Sequence, residues 1–135
     1  MRRFSKIVYR SVSYSGGHEH GWLTNPRGVA WQPLVDMYER SEALIVVAEL
    51  PGVAKSDIEV TVEGACLNIK GVRHKELPSD TQRVHQLEIA YGPFARSIEL
   101  PVYADLNKIE AHFENGYLTV LIPRISSVSQ EHKPK

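Results

Sequence analysis

The stretch AHFENGYLTVLIP, residues 111–123, limits what this chain can fold into more than any other part of it. Asn115-Gly116 lies between two runs of alternating polar and apolar residues. Asn-Gly suits both central positions of a type I′ turn, which require φ > 0. A two-residue turn there sets Glu114 opposite Tyr117, Phe113 opposite Leu118, Ala111 opposite Val120 and Ile109 opposite Ile122. Strand side chains alternate between faces, so the last three pairs form one apolar strip. The other face carries Glu110, His112, Glu114, Tyr117 and Thr119 and is mostly wet. Two strands cannot bury that strip alone, so the chain must supply more sheet.

It does so from Pro33 onward. PLVDMYER reads as an edge strand whose charges discourage promiscuous pairing. ALIVVAELPG is apolar on both alternating faces, as a central strand would be, and Pro51-Gly52 ends it. DIEVTVEG alternates with Ile58, Val60 and Val62 inward. CLNIKGVR follows after Gly64-Ala65, a glycine-first turn compatible with type II′. That register sets Val62 against Leu67 and Val60 against Ile69, and turns Cys66 to the opposite face. PFARSIELPV resumes strand character with Phe94, Ile98 and Leu100 on one side. No convincing helix longer than a turn or two interrupts this order, so the expected class is all-β, two sheets packed as a sandwich.

Two segments fall outside the strand pattern. Residues 1–32 show no sustained period of two or 3.6, and glycine, serine and Asn25-Pro26 break them up, so a mostly irregular, flexible N-terminal arm is expected. Residues 74–88, HKELPSDTQRVHQLE, are long, polar and interrupted by Pro78. Loops of this length in compact domains are usually functional or disordered. The expected organisation is arm 1–32, sandwich 33–124 and a short C-terminal tail 125–135.

Composition narrows the functions available. Sixteen basic residues balance sixteen acidic ones across 135 residues. No net field therefore favours nucleic acid or anionic membrane, and neither is expected as a partner. No apolar run approaches the length that spans a bilayer. The single cysteine, Cys66, rules out an internal disulfide framework and suits a reducing, cytoplasmic location. The basic, serine-rich start, without an acid before Glu19, also matches an organellar transit peptide, which is the alternative location.

Residues 48–52 (AELPG), the strand pair around Gly64 to Ile69, YGPFARSIELP (91–101) and AHFENGYLTVLIP (111–123) together resemble the small heat-shock protein, or α-crystallin, family. The third matches a G-x-F-x-R-x-x-x-L-P pattern and the fourth an A-x-x-x-N-G-x-L pattern. The similarity covers about residues 33 to 124, in order and at matching spacing. It implies an immunoglobulin-like sandwich (the α-crystallin domain) and ATP-independent holding of unfolding proteins. It also implies a homodimer made by exchange of the 74–88 loop onto the partner's first strand.

On that resemblance the dimer-interface candidates are Arg96, Glu88, Arg83, Val84, His85, Leu87, Val35 and Met37. Arg96 shares a strand face with Phe94 and Ile98, where a lone cation is costly. Removing one partner of a buried ion pair costs roughly 3–5 kcal/mol, so an acid is expected nearby, with Glu88 the candidate. The alternative is a strand-end arginine snorkelling to water. Ile89 stands where the family often has arginine, which would weaken one interface ion pair.

Client-binding candidates are the arm's Phe4, Tyr9, Tyr14, Trp22, Leu23 and Trp31. Their alternative role is packing on the sandwich or on neighbouring subunits. Burying ~500 Å² of apolar surface yields about 12 kcal/mol gross at ~25 cal/mol/Å². Association costs about 4–15 kcal/mol, so one arm holds a client weakly and several gain avidity. An apolar groove is expected around Val60, Val62, Ile109, Ala111 and Phe113, the receiving site for a tail I-x-I or I-x-V motif in the family. Here Ile125 and Val128 are three apart, which in an extended strand sends them to opposite sides. Dimers, or modest assemblies built mainly by the arm, are therefore expected.

No catalytic or cofactor motif is present: no P-loop, no G-x-G-x-x-G, no H-E-x-x-H and no G-x-S-x-G. Neither enzyme activity nor a cofactor is expected. His18-Glu19-His20 supplies two histidines, fewer than the three or four protein ligands zinc normally takes. The other binding reading is a CS-type co-chaperone module with a specific folded partner. It does not predict the arginine-bearing YGPFARSIELP strand, the exchange loop or an aromatic arm.

Overall fold

A computed structural model describes residues 31–126, together with the backbone of two short strands, β1 (Ser5–Ile7) and β2 (Arg10–Ser11). The other strands are β3 (Val35–Glu39), β4 (Ala43–Glu49), β5 (Ile58–Glu63), β6 (Cys66–Arg73), β7 (Gly92–Glu99), β8 (Glu110–Glu114) and β9 (Tyr117–Pro123). A 3-10 turn, Lys55–Asp57, leads into β5, and the described residues contain no α-helix. One sheet has the order β1-β8-β9-β4-β3 and the other β2-β5-β6-β7.

Local chemistry sets both hairpins. Asn115 and Gly116 have φ of 56° and 82°, the doubly positive pattern of a type I′ turn. Phe113 then pairs with Leu118 and Ala111 with Val120. Ile109 lies just ahead of β8, so its alignment with Ile122 falls outside the paired ladder. In the other sheet Val62 pairs with Leu67 and Val60 with Ile69.

The inward residues of the two sheets meet in one core. Leu44, Val46, Ala48, Ala111, Leu118, Val120 and Ile122 come from one side, and Ile58, Val60, Val62, Leu67, Ile69, Phe94 and Ile98 from the other. Each fully buried aliphatic or aromatic side chain contributes roughly 1.5–3 kcal/mol relative to exposure. Leu50, Val53, Leu100, Ala104 and Ile109 belong to the same buried cluster from the connecting segments.

The two most distinctive sequence stretches touch. The Leu50 amide donates to the Gly116 carbonyl at 2.7 Å, which brings the AELPG turn onto the tip of the Asn-Gly hairpin. A Cβ at Gly116 would lie 3.1 Å from Pro51 Cα, so this glycine serves both the turn conformation and the close approach. Gly71 is a glycine of another kind. It stands between Ile58 and Phe94 in the ladder, and a Cβ there would meet the Asp57 carbonyl oxygen at 2.0 Å.

Within the arm, expected to be mostly irregular, two short strands are described, one on each sheet. Segments of two or three residues carry no period to recognise. Just ahead of Pro33, Trp31 bridges to Phe94 in parallel sense.

Candidate functional site

The segment after β6 has no alternating pattern, and in the structure every residue from His74 to Ala90 is exposed. Pro78 precedes a turn at Ser79-Asp80, where Asp80 takes a φ of 62° and accepts from Gln82 Nε2 at 3.1 Å. Thr81 Oγ1 donates back to the Pro78 carbonyl. Its large aliphatic side chains face solvent: Leu77, Val84, Leu87 and Ile89 are 46–67% exposed.

Both roots of this loop are clasped by one side chain. Arg73 donates through Nε and a terminal nitrogen to the Ala90 carbonyl, at 2.9 and 2.6 Å, and through the other to Pro51 at 3.0 Å. Its guanidinium lies 4.1 Å from the Trp31 ring centroid and 5.6 Å from that of Tyr91. Trp31 itself donates from Nε1 to the Gly92 carbonyl at 3.1 Å and tilts against Phe94 at 5.1 Å. Sequence reasoning placed Trp31 among the client-binding aromatics, yet it is half-buried and packed on the core. Nothing in the sequence around Arg73 pointed to this clasp, because its partners lie 17 and 22 residues away in opposite directions.

β3 has β4 on one side and no strand on the other among the described residues. Along it and its lead-in, Leu34, Met37 and Tyr38 are 71%, 45% and 55% exposed, while Val35 packs partly on the core. Asp36 accepts from the Tyr38 hydroxyl at 3.1 Å, which raises the phenol above its usual range. Arg96, on β7, stands opposite Ile69 and is half-buried. Its partner within the chain is the Pro33 carbonyl at 3.0 Å, so it ties β7 to the lead-in of β3 across the sandwich. Within the single chain Glu88 accepts from Gln86. Arg83, Val84, His85, Leu87 and Glu88 all lie on the exposed loop.

The residues expected to line a groove lie at the opposite edge. Val60, Val62, Ile109 and Ala111 are at most 5% exposed, and only Phe113 is partly accessible. β1 pairs antiparallel with β8, setting Ser5 opposite Phe113, Lys6 opposite His112 and Ile7 opposite Ala111. β2 pairs parallel with β5, setting Arg10 opposite Thr61 and Ser11 opposite Val62. Both lips of the groove thus carry a strand of the arm. The remaining arm candidates, Phe4, Tyr9, Tyr14, Trp22 and Leu23, lie outside the described residues, as do His18, His20 and Val128.

The start of the tail is strapped to the sandwich. Arg124 bridges Ala104, and the Ile125 amide donates to the Tyr103 carbonyl at 2.7 Å. The Tyr103 hydroxyl donates to Glu39 at 2.9 Å, and Arg124 stacks 3.8 Å from the Tyr103 ring centroid. The hydrogen bond to Glu39 is the main reason the Tyr103 phenol is raised above its usual value. Among the described residues, no three metal-ligating side chains cluster, and no helix is long and apolar enough to cross a membrane.

Comparison with known proteins settles the lineage of this architecture. The Hsp20/alpha crystallin family profile matches residues 36–135. The chain belongs to that family. The Hsp20 match runs from β3 through the tail. Spore protein SP21 of Stigmatella aurantiaca is 36% identical over 106 residues, covering 78% of this chain and 63% of its own length. A 17.8 kDa class I heat shock protein of Arabidopsis thaliana is 33% identical over 133 residues, covering 98% of this chain and 78% of that one. Among solved structures, a small heat-shock protein from Xylella fastidiosa superposes with a TM-score of 0.69 at 34% identity, over 79% of this chain and 94% of that one. The chain spans less than two thirds of the length of the Stigmatella relative.

Proposed function

We propose that this Hsp20-family chain is an ATP-independent holdase. It binds exposed apolar segments of unfolding proteins and keeps them from aggregating. The observation that carries the reading is the apolar surface displayed by an otherwise well-packed sandwich. Leu77, Val84, Leu87 and Ile89 on the loop, and Leu34, Met37 and Tyr38 at the β3 edge, lie in water in the single chain.

The same surfaces support a homodimer made by loop exchange. An extended segment added to an unpaired edge gains main-chain hydrogen bonds, while alternate side chains supply specificity. The 74–90 loop of one subunit, with Arg83, Val84, His85, Leu87 and Glu88, would lie along Val35 and Met37 of the other. Arg96 then sits beside that seam. The arm's Phe4, Tyr9, Tyr14, Trp22 and Leu23 provide the client-facing apolar side chains, and Trp31 leaves that set because it is packed on the clasp. The protein needs no cofactor, performs no catalysis and acts in the cytoplasm.

The test is heat-induced aggregation of a model client at varied chain-to-client ratios without nucleotide, alongside mass by light scattering. Ratio-dependent suppression by a dimer or larger species is the expected result. Turbidity indifferent to added protein overturns the reading.

A further inference from the structure

The 74–90 loop leaves the sandwich through a narrow stem. The β6–β7 ladder ends at the pair Arg73–Gly92, and every residue from His74 to Ala90 is exposed, so the loop stands away from its own sandwich. On the returning side of that stem Gly92 takes a φ of 103°, a left-handed conformation that glycine alone adopts readily. The same freedom makes Gly92 the softest joint of the stem. The direction in which the loop departs is therefore decided by whatever holds the peptide units around it.

Two side chains hold them. Trp31 donates from Nε1 to the Gly92 carbonyl at 3.1 Å, and its amide donates to the Pro93 carbonyl at 3.4 Å. Arg73 donates twice to the Ala90 carbonyl and once to that of Pro51. Pro51 is a fixed reference point, because the amide of the adjacent Leu50 is tied to the Gly116 carbonyl. The carbonyls of Ala90 and Gly92 are thus pinned from two directions. The side chains that pin them also touch each other, with the Arg73 guanidinium 4.1 Å from the Trp31 ring centroid. The ring limits where the guanidinium can lie, and the guanidinium limits the ring. A residue at the end of the 1–32 segment and a residue at the root of the loop therefore form one unit.

We propose that Trp31 and Arg73 are positioning residues that act together as a latch on the Gly92 hinge, fixing the loop in its projecting posture and coupling the arm to the subunit seam. The inference rests on the reading that this loop is exchanged between subunits. A segment already held in its docking posture loses less freedom when it adds to the partner's β3 edge, so the latch strengthens the dimer by preorganisation. Coupling of this kind is reciprocal. A pull on the arm that lifts Trp31 from Phe94 weakens the seam, and formation of the seam holds the end of the arm in place.

The experiment is a double-mutant cycle in the full chain with Trp31→Phe, Arg73→Lys and the pair. Trp31→Phe keeps a ring against Phe94 without the indole N–H, and Arg73→Lys replaces the fork by a single ammonium. Subunit dissociation is followed by sedimentation on dilution, and loop posture by the rate of thermolysin cleavage within residues 74–90, with cleavage in β4 as the measure of global unfolding. Each single substitution should weaken association and quicken loop cleavage about tenfold, and the pair about tenfold as well, whereas independent sites would give about a hundredfold. Additive effects overturn the latch. So does a fall in melting temperature with loop cleavage and dissociation unchanged, which marks both side chains as packing alone. A wild-type chain that sediments as a monomer at every concentration removes the loop-exchange reading, and the cleavage cycle then decides the latch by itself.

Discussion

Replacing Gly71 with alanine tests the packing logic of the sandwich at its tightest point. The added Cβ would lie 2.0 Å from the Asp57 carbonyl oxygen and 2.6 Å from Phe94 Cζ. Carbon–oxygen contacts settle near ~3.3 Å, so backbone and methyl must separate by about 1.3 Å. Neither obstacle yields easily, because one is main chain and the other belongs to a ring with 0% exposure. Overpacking typically costs about 1–3 kcal/mol, and a backbone clash plus a buried ring places this site near ~3 kcal/mol. Alanine returns about 0.4–1 kcal/mol by restricting the unfolded chain, which leaves a net loss of about 2–2.5 kcal/mol. At a urea slope of ~1.5 kcal/mol per molar, the unfolding midpoint falls by about 1.5 M. The assay is urea denaturation at one fixed chain concentration, since self-association would otherwise shift the midpoint. Gly64→Ala is the comparison: its φ is +59° but no atom lies within 4 Å, so it loses only the backbone strain of about 1–2 kcal/mol. A Gly71→Ala midpoint within about 0.3 M of wild type would refute the steric reasoning.

Arg73→Ala removes the bonds to Ala90 and Pro51 and the stack on Trp31, so Trp31 emission should shift red and cleavage within residues 74–90 should quicken; the stability cost is about 1–2 kcal/mol. Arg96→Gly leaves the Pro33 carbonyl without its donor and puts glycine inside a strand, together about 2–3 kcal/mol, giving a lower melting temperature and weaker dimerisation; no change in either counts against Arg96 at the seam. Deleting residues 1–30 should abolish suppression of client aggregation while the sandwich keeps its β-sheet circular dichroism, and retained suppression would end the arm's role. The Tyr103 hydrogen bond to Glu39 favours the neutral phenol. Its stabilising effect is therefore complete below the ordinary tyrosine range near ~10 and fades as pH rises through the higher folded value. An ultraviolet titration should show one fewer late-ionising phenol in Tyr103→Phe than in wild type.

The family motifs and the strand order were legible because they rest on neighbours in sequence. Asn115-Gly116 selects a turn through its own φ values, and that turn carries the Phe113–Leu118 and Ala111–Val120 pairings with it. Gly64 does the same for Val62 and Leu67, and alternation then names the core residues of β4, β5 and β7. Only the tertiary structure decided the rest. Arg96 meets the Pro33 carbonyl 63 positions away, a contact that nothing adjacent in the sequence announces. Trp31 docks on Phe94 and Arg73, and the arm strands find β8 and β5, through contacts that leave no period in the chain. The physical reason is one of range. Turn dihedrals and side-chain alternation are properties of adjacent residues, whereas a half-buried cation or a two-residue strand takes whichever partner the packed sheets bring within hydrogen-bonding reach.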